Sequence, residues 1–227
     1  MSELAQLSME EQAVLISDEI YSALVYGNQQ APSPLEDPES GNVIVVNGFS
    51  KEFAMTGWRL GSTIASKRIT DLLVRFAENS TSCPTSFVQK AAVAALTGQR
   101  DWFNRTLAEY RARRDIMVEE LNKIPGWACD VPEGAFYCFP RTNMQDSRVF
   151  ERILLERERV SVVAGAHFGR KGEGHLRLSY TTSRQNIHLG IDRIRRLVEQ
   201  LSKAETETDR AQATQEGLIQ DNIATAF

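Results

Sequence analysis

Apolar positions along the chain follow two rhythms. Short unbroken apolar runs occur at AVLIS (13–17), VIVVNGFS (43–50) and LGSTIA (60–65), and each predicts a buried strand. Asp18 closes the first run and Lys51 the second. The stretch between them, GNQQAPSPLEDPESGN (27–42), carries Pro32, Pro34 and Pro38 and is a loop by its turn residues. Elsewhere the pattern is helical. Residues 2–12 are polar and helical in character, 66–80 follow the third strand as a helix, and an Ala-rich helix over 85–97 stops at Gly98. The longest helix spans 100–124, with Phe103, Leu107, Tyr110, Met117, Leu121 and Ile124 at three- and four-residue steps, and Pro125-Gly126 ends it.

Beyond that point the texture changes. WACDV (127–131), GAFYCF (134–139), VSVVAG (160–165) and HLRLSY (175–180) predict strands, 146–157 a helix, and 183–202 an amphipathic helix opening at Ser183. The fold class is therefore α/β in two parts: an α/β part over 1–98 and a smaller α+β part over 99–203. Residues 204–227 form a polar tail, expected to be disordered. No internal repeat is present.

Charge and cysteines narrow the function classes. Over 227 residues the formal net charge is -4, which offers no basic footprint for nucleic acid. The local cluster Arg111, Arg113 and Arg114 reads as a solvated helix face. Cys83, Cys129 and Cys138 match no zinc spacing, so no metal is expected and the thiols read as free in a reducing cytoplasm. No apolar run approaches the ~20 residues of a membrane helix, and the N-terminus lacks the pattern of a signal peptide. A cytoplasmic protein with no membrane or nucleic-acid partner is expected.

Candidate chemistry sits at the strand ends. In open α/β sheets, ligands bind outside the carboxyl ends of the strands. If the first two strands are parallel neighbours, Asp18 and Lys51 point into one crevice. An ion pair accounts for them as well on spacing alone. Yet a lysine at a strand end is also how an enzyme presents an amine for Schiff-base chemistry. Arg59 adds a fork of donors suited to phosphate or carboxylate. Acid, amine and phosphate binder together match what pyridoxal phosphate asks of a protein.

The segments SDEIYSALVY (17–26), GFSKEFAMTGWRLG (48–61), TSCPTSFVQKAAVAAL (81–96), PEGAFYCF (132–139) and GEGHLRLSY (172–180) occur in the order seen in class I/II aminotransferases. The chain resembles that family over about residues 2–203, most of all the branch with MTGWR after the lysine. The resemblance implies a fold type I pyridoxal-phosphate enzyme, here a partial large domain with a mostly parallel sheet plus the smaller C-terminal domain. It implies that Lys51 bonds the cofactor aldehyde and moves the proton at the substrate α-carbon. Asp18, expected as a buried carboxylate, would keep the pyridine nitrogen protonated, and Tyr21 would bond the ring oxygen. Ser50 and Arg59 would bind the phosphate, and Arg177 would clamp the substrate α-carboxylate. On the residues alone Tyr21 also suits a core aromatic, Ser50 a turn and Arg177 a surface ion pair. Phe136, Tyr137 and Phe139 read as strand packing, and His167 as a candidate pocket residue.

Family members are nearly twice this length, and the resemblance places the part without a counterpart N-terminal to this sequence. The apolar faces around AVLIS are thus expected to be uncovered, cofactor binding weak, and 99–203 the more stable part. The implied reaction moves an amino group from an amino acid to a 2-oxo acid in a homodimer, with 78–86 near the partner's cofactor. MTGWR points toward aspartate, aromatic or similar substrates. Lyase chemistry on the same scaffold and a non-catalytic fragment stay open beside it.

Overall fold

The computed structural model describes residues 1–27, 30–36 and 42–224, with the side chains of Ser2 and of 205–224 left aside. It divides into two compact units, Met1–Arg111 with Glu133–Ala135, and Ala112–Pro132 with Phe136–Phe227. The sequence placed the boundary at 98–99. The division falls later because the helix Asp101–Leu121 is continuous and contributes its first half to one unit and its second half to the other.

In the first unit, α1 (Ser2–Glu10) leads into β1 (Leu15–Asp18), and β2 (Val43–Gly48) lies parallel to β1 with Asp18 opposite Val46. The chain then turns through α2 (Phe49–Glu52) and a 3₁₀ turn (Thr56–Trp58) into β3 (Gly61–Ala65), which runs antiparallel to β2. Over these strands the sheet is mixed, where a mostly parallel one was expected. The β2–β3 connection, residues 49–60, brings its two ends together at the Gly48–Gly61 pair, so β3 runs back alongside β2. The helices α3 (Lys67–Ser80) and α4 (Ser86–Thr97) complete the unit. Its core has two small parts. Phe49, Met55, Leu60, Val88 and Ala92 form one, with Val88 and Ala92 one helical turn apart on α4. Ala5, Val43 and Val45 form the other, placing α1 on the sheet.

The long helix α5 (Asp101–Leu121) enters the second unit, whose sheet has the order β4 (Tyr137–Cys138), then the later strand Leu176–Ser179, then Val163–Ala164. WACDV, expected as a strand, contributes only a single bridge from Ala128 to Arg141. The Asn122 side chain takes the backbone of Cys129 instead, accepting its N–H at 2.8 Å and donating to its carbonyl at 3.0 Å. Helix α6 (Ser147–Ile153) is capped by Asp146, whose carboxylate accepts the N–H groups of Arg148 and Val149 at 3.0 Å. It continues as a π turn, Leu154–Glu158. The strands β5 (Val163–Ala164) and β6 (Leu176–Ser179) follow, and α7 (Arg184–Ala224) closes the chain. α7 extends past the expected end at 202, so 204–224 is helical where a disordered tail was expected. That segment is rich in Ala, Glu and Gln, with no Gly or Pro before Gly217 to stop a helix. The last three residues of that expected tail, 225–227, lie outside the described ones. Ile187, Ile191, Ile194 and Leu197 recur at helical spacing on α7 and are buried, as are Leu121, Phe150, Leu154, Leu176 and Leu178.

Candidate active site

Parallel pairing puts the carboxyl ends of β1 and β2 at the same edge of the sheet. The chain leaves β1 through a turn held to its neighbour, with the Glu19 N–H donating to the Val46 carbonyl at 2.8 Å. The carboxylate of Asp18 accepts the Ile20 N–H at 3.2 Å. Asp18 is exposed, which corrects the expectation of a buried carboxylate. β1 is an edge strand among the described residues, and its alternation turns Ser17 inward and Asp18 outward.

Lys51 lies within α2, one turn past the end of β2, not on the strand itself. Its Nζ stands 5.8 Å from the ring centroid of Tyr21, and both residues are half-buried. The half-buried Ser50 precedes Lys51, and its carbonyl accepts the Thr56 hydroxyl at 3.0 Å. Arg59 is exposed and left-handed, with φ 53° and ψ 47°. Few non-glycine residues adopt that conformation. It turns the chain so that the Leu60 carbonyl accepts the Phe49 N–H at 3.1 Å. One Arg59 nitrogen donates to the Thr56 carbonyl at 3.0 Å.

Gly48 and Gly61 face each other in the β2–β3 ladder. A Cβ on Gly48 would lie 2.9 Å from Cδ1 of Ile20, and one on Gly61 would lie 3.0 Å from the Asn47 carbonyl. The two glycines therefore let the Ile20 turn and the start of β3 close on the backbone that leads to Lys51.

A cleft of about 420 Å³ opens beside this turn, lined by Glu19, Ser22, Val25, Ser33 and Glu52 among others. Glu19 accepts the Ser33 hydroxyl at 2.7 Å, and Glu52 pairs with the Arg100 guanidinium. Sequence reasoning passed over Glu19 and Glu52, because only the tertiary turn brings them to one wall. Among the described residues no group of three or more His, Cys, Asp or Glu side chains could hold a metal ion. No described helix is long and apolar enough to cross a membrane.

In the second unit Arg177 occupies β6 opposite Val163 of β5. Leu176 and Leu178 turn into the core, which leaves Arg177 on the other face. Its guanidinium carbon is 4.6 Å from the Tyr137 ring centroid and 4.9 Å from that of Phe168. Tyr137, expected as strand packing, is half-buried on this arginine, whereas Phe136 and Cys138 are in the core. Alternation along GAFYCF carried that signal, since Tyr137 and Phe139 share the outward side. His167, a candidate pocket residue, has its Nε2 3.1 Å from the Glu151 carboxylate. Glu173 accepts the Ser147 N–H at 2.8 Å and the Gly174 N–H at 3.1 Å. These bonds, the Ser147 N–H foremost, hold the Glu173 carboxyl below its ordinary range.

Known proteins bring this arrangement into focus. The family description "Aminotransferase class I and II" matches residues 1–194. The chain is 36% identical over 203 residues to an aspartate aminotransferase of Pyrococcus abyssi, covering 87% of this chain and 52% of that protein. It is 35% identical over 205 residues to aromatic-amino-acid aminotransferase 2 of Thermococcus litoralis, covering 88% and 52%. A crystal structure of an aromatic aminotransferase from Pyrococcus horikoshii OT3 superposes with a TM-score of 0.82 at 36% identity, covering 88% of this chain and 55% of that one. The chain thus spans about half the length of the relatives it matches. The matched residues and the relatives lead to one assignment: this chain belongs to the class I and II aminotransferase family.

Proposed function

We propose that this chain supplies the lysine-bearing part of a pyridoxal-phosphate-dependent aminotransferase, which moves an amino group between an amino acid and a 2-oxo acid by a ping-pong route. The observation that carries this reading is the amine of Lys51 set 5.8 Å from the Tyr21 ring at the shared carboxyl edge of β1 and β2. The donor set fits the cofactor: an amine for an aldehyde, a carboxylate for a pyridine nitrogen, a phenol for a ring oxygen, and a hydroxyl with a guanidinium for a phosphate. When bound, pyridoxal phosphate supplies an electrophilic carbon and a ring that accepts electrons from the substrate α-carbon.

In this reading Lys51 would hold the cofactor through its amine, and its Nζ, when free, would take the proton from the substrate α-carbon. General acid–base catalysis of this kind contributes roughly 10²–10⁴-fold. Asp18 keeps the proton on the ring nitrogen. Tyr21 donates its phenol hydrogen to the ring oxygen, and its ring beside Lys51 restricts where the amine points. Ser50 and Arg59 bind the phosphate, the arginine with the nitrogens that Thr56 leaves free. Arg177 takes the substrate α-carboxylate through a bidentate pair. The names of the relatives favour aspartate or aromatic substrates, and a cytoplasmic homodimer is proposed with them.

The test is a pyridoxal phosphate titration of the purified chain, with Lys51→Ala in parallel. A saturable absorption band of lysine-bound cofactor, lost in the variant, is expected. No band, or a band indifferent to Lys51, would overturn the reading for this chain and leave it a non-catalytic piece of the fold.

A further inference from the structure

Arg177 has an unusual set of neighbours for an arginine on a strand. Among the described residues no carboxylate pairs with it, and no protein acceptor takes its N–H groups. Two aromatic rings stand within cation–π range instead. A carboxylate partner would occupy the in-plane fork that an arginine uses to bind a carboxylate ligand. An aromatic ring attracts the guanidinium through its face and leaves every in-plane donor unspent.

Both rings are fixed from behind. Tyr137 belongs to β4, which pairs with β6 through Tyr137–Ser179 and Cys138–Leu178. Phe168 ends the short turn Gly165–Phe168, and Gly165 and Gly172 there approach so closely that a Cβ on either would lie 2.1 Å from the other's carbonyl oxygen. The same turn is tied to α6, where the Ser147 hydroxyl accepts the Ala166 N–H at 3.3 Å. The Phe139 ring meets Phe168 edge-on at 5.9 Å and stacks with His175 at 5.2 Å. Phe168 is nonetheless 53% exposed, so burial alone does not account for an aromatic residue at that position.

We infer that Tyr137 and Phe168 are positioning residues that hold the Arg177 guanidinium by its face and keep its N–H edge free for a carboxylate, an inference that rests on the reading of Arg177 as the carboxylate clamp. Neither ring touches the ligand in this role. They act through the arginine, by limiting its rotamers and by sparing it a competing anion.

The experiment uses the full chain, nitrogen-15 labelled, with succinate as the probe and the Arg177 Nε–Hε resonance as the readout. Arg177→Lys identifies that resonance by removing it. In the native chain the resonance is expected to move on succinate addition and to yield a dissociation constant. Phe168→Leu and Tyr137→Leu remove a ring and are each expected to weaken succinate roughly three- to thirty-fold, the span of cation–π strengths. Phe168→Tyr and Tyr137→Phe keep the ring and are expected to bind as the native chain does. Because Phe168 is half-exposed, its two variants decide the matter even if Tyr137→Leu fails to fold. Native-like binding in Phe168→Leu, or equal weakening in Phe168→Leu and Phe168→Tyr, overturns the positioning role and leaves the clamp standing. No succinate response at Arg177 in the native chain overturns the clamp, and this inference with it.

Discussion

Leu154 and Ile194 in the second unit are 0% exposed, while Phe76 on α3 and Phe87 on α4 in the first are 72% and 65% exposed. The contrast extends to whole elements. On α7 the apolar stripe closes over its own unit. On α3, Leu72, Leu73, Val74 and Phe76 are all exposed, and Ile69 alone is buried. Ile16 on β1 and Ile64 on β3 are exposed as well, on the two edge strands of the sheet. Sheets with parallel pairing are ordinarily covered on both faces. Among the described residues these apolar side chains have little cover from their own unit. The lesson is that amphipathic pattern and burial are separate facts: both units have the pattern, and only one supplies its own cover.

Core truncation should break the comparison most sharply. Leu154→Ala is expected to cost about 2–5 kcal/mol of stability, read by urea unfolding with circular dichroism. Phe76→Ser is expected to change stability by less than about 0.5 kcal/mol while reducing aggregation and dye binding. Equal losses in the two variants would mean that α3 is covered after all.

Thiol reactivity sharpens the same contrast. Cys83 is exposed in the first unit, whereas Cys129 and Cys138 are buried in the second. The hydrogen bond to Cys129, together with burial, pushes the Cys138 thiol well above its ordinary range. One thiol is expected to react quickly with a colorimetric disulfide reagent, and two only after denaturant is added. Three fast thiols would show that the second unit opens readily.

The smallest effect concerns acid. The Glu173 carboxyl is held below its ordinary value by the Ser147 and Gly174 N–H groups, so its contribution is fully present above the unfolded value near 4.5. It is lost as pH falls through the lowered folded value. Thermal midpoints measured from pH 6 down to pH 3 should fall more in the native chain than in Glu173→Gln, which cannot titrate. Parallel curves would remove Glu173 from the acid response.

Much of this was legible in the sequence because it depended on local pattern. AVLIS, VIVVNGFS and LGSTIA became β1, β2 and β3, and the helices over 66–80 and 85–97 appeared within a residue of their expected bounds. What escaped depended on neighbours. Asp18 was expected to be buried, yet the side of β1 away from β2 has no strand among the described residues. WACDV has strand composition, but an asparagine amide from the preceding helix end took its hydrogen bonds. The end of α7 was set at the end of its apolar stripe, while backbone propensity carried the helix further. At the candidate site, the sequence put Lys51 at the end of the β2 run and Arg59 beyond a turn, and the structure places Lys51 in α2 and Arg59 at a left-handed position before β3. Arg177 and the two rings on it come from three separated segments, which no short window contains.

The pairing of Gly48 with Gly61 has a consequence for how this protein tolerates change in length. Backbone bonds join the two ends of the segment that holds Lys51 and Arg59, so it behaves like a closed ring and not like an open surface loop. An inserted or deleted residue inside that ring cannot be absorbed by sliding at either end, because each glycine already sits against its neighbours. The count of residues between amine and guanidinium is therefore a structural dimension in its own right. Substitutions can vary the chemistry along the ring, but loop-length libraries should leave it intact.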